Sequence, residues 1–190
     1  MRSAPILVSA TIAAVALLCS CDGARDTHGG SAPAAATDAV AVVVPTQGSQ
    51  VHGVVRFSEN GGAVTVTADI EGLAPSSSHG FHVHEFGDAT SADGNSAGTH
   101  YNPENHQHGG PESAEHHAGD LGNIVSDAAG KAHYVVTSHD LSIAGSHHAI
   151  LGRSVIIHAN ADDFTAKPNV GARIAIGVIG LAKPAAAPVK

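Results

Sequence analysis

The sequence predicts an all-β domain, an antiparallel sandwich or barrel, from its periodicity, its turn residues and its lack of helical pattern. Residues 63–72 (AVTVTADIEG) alternate strictly, with Val64, Val66, Ala68 and Ile70 on one side and Thr65, Thr67 and Asp69 on the other. That is the period of a strand with one buried face. Asn60-Gly61 separates this run from a second alternating run, and Asn-Gly is the strongest short signal for a hairpin turn. No segment carries an amphipathic helical pattern of ordinary length, and 22 glycines suit short strands joined by many turns.

Residues 1–21 read as an export signal rather than as part of the fold. Arg2 gives a short basic start, residues 4–18 form an uncharged apolar run, and Cys19-Ser20-Cys21-Asp22 follows. Leu18-Cys19-Ser20-Cys21 resembles a bacterial lipobox, with Leu18 at −3 and the small Ser20 at −1 of a lipidated Cys21. Modification at Cys19 fits less well, because Leu18 would then fill the −1 position. The competing reading is an uncleaved signal anchor, since residues 3–21 are nearly long enough to span a bilayer. Lipidation at Cys21 implies several acyl chains, and more than one chain is what makes anchoring stable. The expected location is the periplasm or cell envelope, lipid-anchored to a membrane.

Cysteine usage and charge follow from that reading. Of the 2 cysteines, Cys19 leaves with the signal and Cys21 becomes a thioether, so the mature domain cannot form a disulfide. Loss of Arg2 moves the net charge from −8 to −8 − 1 = −9. An acidic domain is a poor match for nucleic acid or for an anionic membrane surface. Residues 22–38 (DGARDTHGGSAPAAATD) lack any period and read as a flexible tether, with an r.m.s. span of about 20–25 Å. The folded domain is expected over residues 39–182, with a disordered tail at 183–190.

Within the domain, strands are expected at residues 40–44, 50–57, 63–72, 80–86, 131–136, 154–158 and 174–180. In QVHGVVRF, Val51, Gly53, Val55 and Phe57 face inward. Residues 87–119 show no strand pattern, and a loop this long in a compact domain is usually functional or disordered. This one holds His100, His106, His108, His116 and His117, followed by Asp120. It reads as a loop organised by metal rather than by a core.

The chain has 15 histidines against 9 Lys plus Arg, so histidine serves some purpose other than positive charge. In GFHVHEFGD, His82 and His84 project from one face of a strand, because side chains alternate with period two. An isolated pair of this kind is more often a solvent-facing or satisfied core feature. Neutral imidazole suits copper and zinc, and an added carboxylate suits zinc. A plausible ligand set is His82, His84, His100, His108, His117, His158 and Asp120, although spacing does not separate His108 from His106 or His117 from His116. Seven residues fall one short of filling two four-coordinate sites, unless one imidazole is shared between two metals.

Six motifs in this order (GFHVHEFGD, SAGTHYNP, HGGP, HHAGDLGN, VIIHANADD and GARIAIGVIG) resemble the copper/zinc superoxide dismutases. The match runs from about residue 40 to residue 181, nearly the whole mature domain. The resemblance implies an eight-stranded antiparallel Greek-key barrel or sandwich with a long metal-binding loop and a shortened electrostatic loop. It implies copper on His82, His84, His100 and His158, and zinc on His100, His108, His117 and Asp120, with His100 as the bridge. Asp162 would link a copper histidine to a zinc histidine. His79 would be structural, and Arg173 would flank the open face of copper and attract superoxide.

The implied chemistry is redox. One superoxide reduces copper and leaves as dioxygen; a second reoxidises it, takes up two protons and leaves as hydrogen peroxide. His100 would lose its copper bond and gain a proton in the reduced state. The partners expected are superoxide and the membrane through the lipid anchor, with no nucleic acid, in a monomer or a homodimer. The alternative is a non-catalytic periplasmic copper/zinc-binding protein on the same scaffold.

Two departures from the family carry expectations. Gly94 and Ile176 stand where the usual disulfide would be, so zinc should carry more of the ordering of the metal loop, joined to its strand chiefly through metal. The segment between His158 and Arg173 is short, with Lys167 as the candidate replacement for the charges of the longer guidance loop. The remaining histidines, His28, His52, His133 and His139, are expected on tether or surface, and the pair His147-His148 on solvated loop, with an adventitious metal patch as the alternative reading.

Overall fold

The alternating runs of the sequence become eight antiparallel strands in the computed structural model, which describes residues 36–183. The export signal, Cys21, residues 22–35 of the expected tether and residues 184–190 of the expected tail lie outside the described residues. The strands are β1 (Asp38–Pro45), β2 (His52–Asn60), β3 (Ala63–Glu71), β4 (Ser78–His84), β5 (Asp120–Val125), β6 (Ala132–Ser138), β7 (Ser154–His158) and β8 (Arg173–Leu181). They are hydrogen-bonded in the order β5-β4-β7-β8-β1-β2-β3-β6. The end strands β5 and β6 lie against each other, and the Tyr134 hydroxyl donates to Leu121 O at 2.7 Å across that seam. The result is a nearly closed Greek-key barrel, in which β3 pairs with β6 and β4 with β7 across the intervening chain.

The barrel interior is filled by the inward half of each alternation. Val55 and Phe57 of β2, Val64, Val66, Ala68 and Ile70 of β3, and Val155 and Ile157 of β7 are all buried in one cluster. Burial of a Val, Ile or Phe side chain is worth about 1.5–3 kcal/mol, so these positions fix the register of each strand. β4 is the unusual strand, buried on both faces. Phe81 and Val83 enter the barrel core, while His82 and His84 face outward under the long loop.

The hairpin between β2 and β3 differs from the expectation by one residue. Asn60 pairs with Ala63, so the two turn residues are Gly61 and Gly62, at φ 61° and 82°. Both are left-handed, the conformation of a tight hairpin turn that glycine adopts without steric cost. β4 begins at Ser78 and ends at His84, short of the expected Phe86, because Glu85 N and Phe86 N turn away to Thr99 O and Ala97 O. β5 was not among the expected strands. Its sequence DLGNIV holds Gly122 at φ 92°, which breaks the alternation a strand would show.

The ladder is irregular beside the outward histidines. Register shifts fall between Gly80 and His82 on β4 and between Ile157 and His158 on β7. Such bulges re-aim the side chains that follow them. The loop from β4 to β5 is stitched back to β4 by backbone bonds: Tyr101 N to Val83 O, Val83 N to Gly119 O and Gly119 N to Tyr101 O, at 2.8–2.9 Å. Gly119 permits this approach, since a Cβ there would stand 2.3 Å from Val83 O. The loop is therefore joined to its strand by main chain as well as through its histidines, a connection additional to the expected metal.

Candidate metal centre

Two groups of side chains gather their donor atoms within 4.8 Å: His82, His84, His100 and His158, and His100, His108, His117 and Asp120. His100 belongs to both. β4 supplies His82 and His84, the last residue of β7 supplies His158, and the first residue of β5 supplies Asp120. The long loop supplies His100, His108 and His117, with His100 held by a bridge to His84. Every ligand candidate from the sequence is thus brought to one place.

The second group is arranged around Asp120. Its Oδ1 lies 3.1 Å from His100 Nδ1 and 3.2 Å from His117 Nδ1, and its Oδ2 lies 3.0 Å from His108 Nδ1. Donors bound at about 2.0–2.1 Å around a tetrahedral zinc stand about 3.3 Å from one another. The carboxylate is fixed by the backbone N–H groups of His117 and Gly109, which donate to Oδ2 at 2.8 and 3.2 Å. With His100 Nδ1 directed at Asp120, its Nε2 remains for the first group.

Asp162 ties the groups together. His82 Nε2 donates to its Oδ2 at 2.7 Å, and His108 Nε2 donates to its Oδ1 at 3.0 Å. Each ring's Nδ1 is then the free nitrogen. His84 is oriented in the opposite sense, its Nδ1 donating to Gly98 O at 3.1 Å. The nitrogens left over, His82 Nδ1, His84 Nε2, His108 Nδ1, His117 Nδ1 and both nitrogens of His158, are buried without a hydrogen-bond partner. Buried polar atoms are nearly always paired. Orphaned imidazole nitrogens converging in two sets of four donors fit copper in the first set and zinc in the second.

The electrostatics favour neutral ligands at the first group. Burial pushes the His82 imidazole down to about 4, against the pull of Asp162. Burial, reinforced by His82 and His100, pushes His158 down to about 2, and burial drives His84 well below its ordinary value. At neutral pH these rings present lone pairs rather than protons. His108 goes the other way: burial would lower it, but the adjacent carboxylates of Asp120 and Asp162 raise it to about 9. Both carboxyls stay well below the usual range despite burial, held there by their histidines. A metal ion at the second group therefore displaces a proton held between two carboxylates.

Above the first group opens a cavity of about 780 Å³ whose lining includes His84, His100, His158 and Arg173. The Arg173 guanidinium donates to Gly94 O and Gly98 O, each at 2.7 Å. It thereby clamps the long loop where a disulfide would otherwise do so. Lys167 is exposed and lies outside this lining, although its neighbours Ala166 and Pro168 contribute to it. His79 Nδ1 donates to the backbone O of His158 at 2.8 Å, supporting a ligand from beneath. One positioning residue escaped the sequence reading. Asn123 accepts from Asp162 N at 2.7 Å and donates to Asp162 O at 2.9 Å, and it lies in the strand that carried no periodic signal.

Fold and site together define a Greek-key β-barrel metalloprotein with two ligand groups that share one imidazole. Residues 51–179 match the family described as "Copper/zinc superoxide dismutase (SODC)", more than half of the chain. The chain is 44% identical over 151 residues to "Superoxide dismutase [Cu-Zn]" of Yarrowia lipolytica, covering 74% of this chain and 97% of that protein. A protein of the same description from Paramecium bursaria Chlorella virus 1 is 44% identical over 142 residues, 70% of this chain and 74% of its own. Among solved structures, that of the clock protein EA4 aligns with TM-score 0.72 and 35% identity over 80% of this chain and 99% of its own. This chain belongs to the copper/zinc superoxide dismutase family.

Proposed function

We infer that this protein is an oxidoreductase that converts two superoxide anions and two protons into dioxygen and hydrogen peroxide. The observation that carries the reading is the sharing of His100 between two four-residue donor groups beneath Arg173. Copper at His82, His84, His100 and His158 supplies a one-electron couple, and zinc at His100, His108, His117 and Asp120 supplies a fixed positive charge.

The chain's own residues do the rest. Arg173 has used two N–H groups on the loop carbonyls, and its remaining donors attract the anion at the cavity. Distant exposed charges are damped beyond a Debye length of about 8 Å, whereas a guanidinium about 4 Å from the anion contributes about 4 kcal/mol at an effective dielectric of 20. The nearby cation outweighs the net acidity of the chain. His100 holds one face against Asp120 through Nδ1 and can carry a proton at Nε2, the atom next to the other donor group. Arg173→Glu is expected to lower kcat/KM for superoxide at least about tenfold with copper content intact, because it reverses that charge. Unchanged activity in the copper-loaded variant would remove the role. Loading with both metals followed by no superoxide removal would instead favour a metal-binding protein without catalysis.

The export signal and the lipobox-like Leu18-Cys19-Ser20-Cys21 support a lipoprotein anchored through Cys21 in the periplasm or cell envelope. Fatty-acid labelling of cells making the full chain checks this: the wild-type protein should take up the label and Cys21→Ser should not. All ligand candidates come from one chain, which suits a monomer or a homodimer equally.

A further inference from the structure

Four histidines of the chain lie near the long loop without joining the metal centre. His147 and His148, between β6 and β7, stack with ring centroids 3.7 Å apart. Their Nε2 atoms stand 3.7 and 3.5 Å from one carboxylate oxygen, Glu104 Oε1. The other oxygen, Oε2, lies 3.6 Å from His106 Nε2. His116 lines the same cavity, its Nε2 lying 3.5 Å from Asp140.

The hydrogen bonding at His148 makes this grouping specific. Its Nδ1 lies 2.7 Å from Asp140 O. A carbonyl only accepts, so that nitrogen carries the proton, and in the neutral ring Nε2 bears a lone pair directed at Glu104. A lone pair facing a carboxylate at 3.5 Å is unfavourable unless a proton or a metal ion stands between them. The separations of 3.5–3.7 Å exceed ordinary hydrogen bonds and suit donors on either side of a bound ion.

The presentation of these rings is built into the fold. His148 is 8% exposed and holds a left-handed backbone at φ 45°, uncommon outside glycine. Ser142 N donates to His148 O and Ile150 N to Ser142 O, while Ile143 and Ile150 anchor the loop in the core. On the other side Asn102 fixes the turn after Glu104, donating to His106 O at 2.9 Å and accepting from His106 N at 3.0 Å. A histidine whose second nitrogen donates to a carbonyl is the usual arrangement of a metal ligand.

We propose that Glu104, His147 and His148 form a third metal site, with a donor set that suits zinc, with His106 flanking the carboxylate and water completing the shell. Two imidazoles and one carboxylate are a zinc donor set that leaves an open position. The site is separate from the bridged pair, although Asn102 lines both its cavity and the larger one above His100.

The test uses the full chain loaded with copper and zinc, dialysed at pH 7 against micromolar zinc and analysed for metal per chain. Wild type should take up one further equivalent. Glu104→Gln and His147→Ala should each weaken that uptake at least about tenfold, with superoxide removal and the original metal content unchanged. His147 is largely exposed and its backbone contacts survive truncation, so the variant retains the fold. No further equivalent in wild type, or its survival in both variants, would overturn the site.

Discussion

His158 has neither ring nitrogen hydrogen-bonded, yet it is 3% exposed. A side chain in that position is tolerable only as a neutral ring, and the same holds for His82 and His84 in the metal-free protein. Their folded values lie below the ordinary 6.5, at about 4 for His82 and about 2 for His158. The unfolded chain therefore binds more protons than the native one as pH falls below about 6.5. The stability these rings contribute is present above that value and is lost on the way down to about 4. His108 has the opposite sign: its contribution is full below 6.5 and fades as pH rises toward about 9. On the acid side the His108 contribution is constant, so the three lowered rings set the slope. The metal-free protein should lose thermal stability steadily from pH 7 to pH 4, measured by melting after chelation. A flat profile over that range would show that the rings take up protons without unfolding.

At the scale of the element, β4 and the loop that returns to it decide whether the ligands meet. The loop lies against the strand at Gly119, where a Cβ would collide with Val83 O. Neither partner is a flexible side chain, so the collision must be relieved by moving main chain. Gly119→Ala is expected to cost about 1–3 kcal/mol in the metal-loaded protein, read from the denaturant midpoint. It should also weaken zinc retention, because Asp120 is the next residue. A midpoint equal to wild type would mean that the loop can shift freely, and that the backbone stitches are weaker than their distances indicate.

The same elements show what the sequence could and could not disclose. β3 was legible from its strict alternation of apolar and polar residues, and β7 from the short branched run Val155-Ile156-Ile157. β5 was hidden by the left-handed Gly122 within it. The ligand types were legible from the His-x-His spacing and the histidine-rich loop, but the choice between neighbours was not. His108 is 7% exposed between Asp120 and Asp162, whereas His106 lies outside beside Glu104. His116 turns to Asp140 while His117 turns to Asp120. Those preferences come from which carboxylate the folded loop turns each ring toward, Asp162 and Asp140 from distant segments and Asp120 and Glu104 from nearby ones, and in the sequence only the family motifs carried them.

For the whole molecule, the barrel and the metal loop are two regions of unequal support. The barrel rests on a continuous apolar cluster. The loop rests on backbone stitches, the Arg173 clamp and the ligands themselves, with Ala97, Ile156 and Ile176 as a small separate cluster beneath it. A metal that binds only the folded form stabilises it by RT ln(1 + L/Kd), so the gain grows with the logarithm of free metal L over its dissociation constant. Chelation is expected to lower the melting temperature by well over about 4 °C, the shift that 1 kcal/mol gives in a domain of this size. A metal-free protein melting within a few degrees of the loaded one would assign the loop's order to the stitches and the clamp alone.

β4 has a further consequence for how the chain reaches its native state. Its two faces carry opposite duties, oil inward and nitrogen outward, with a bulge between them. A slip of one residue against β7 would turn His82 and His84 into the barrel and leave Phe81 and Val83 outside. Such a chain could look folded by its strand content and still bind nothing at the first group. Metal uptake in this protein is thus a proofreading signal for strand pairing, reporting on a step of folding that spectroscopy of the backbone would pass over.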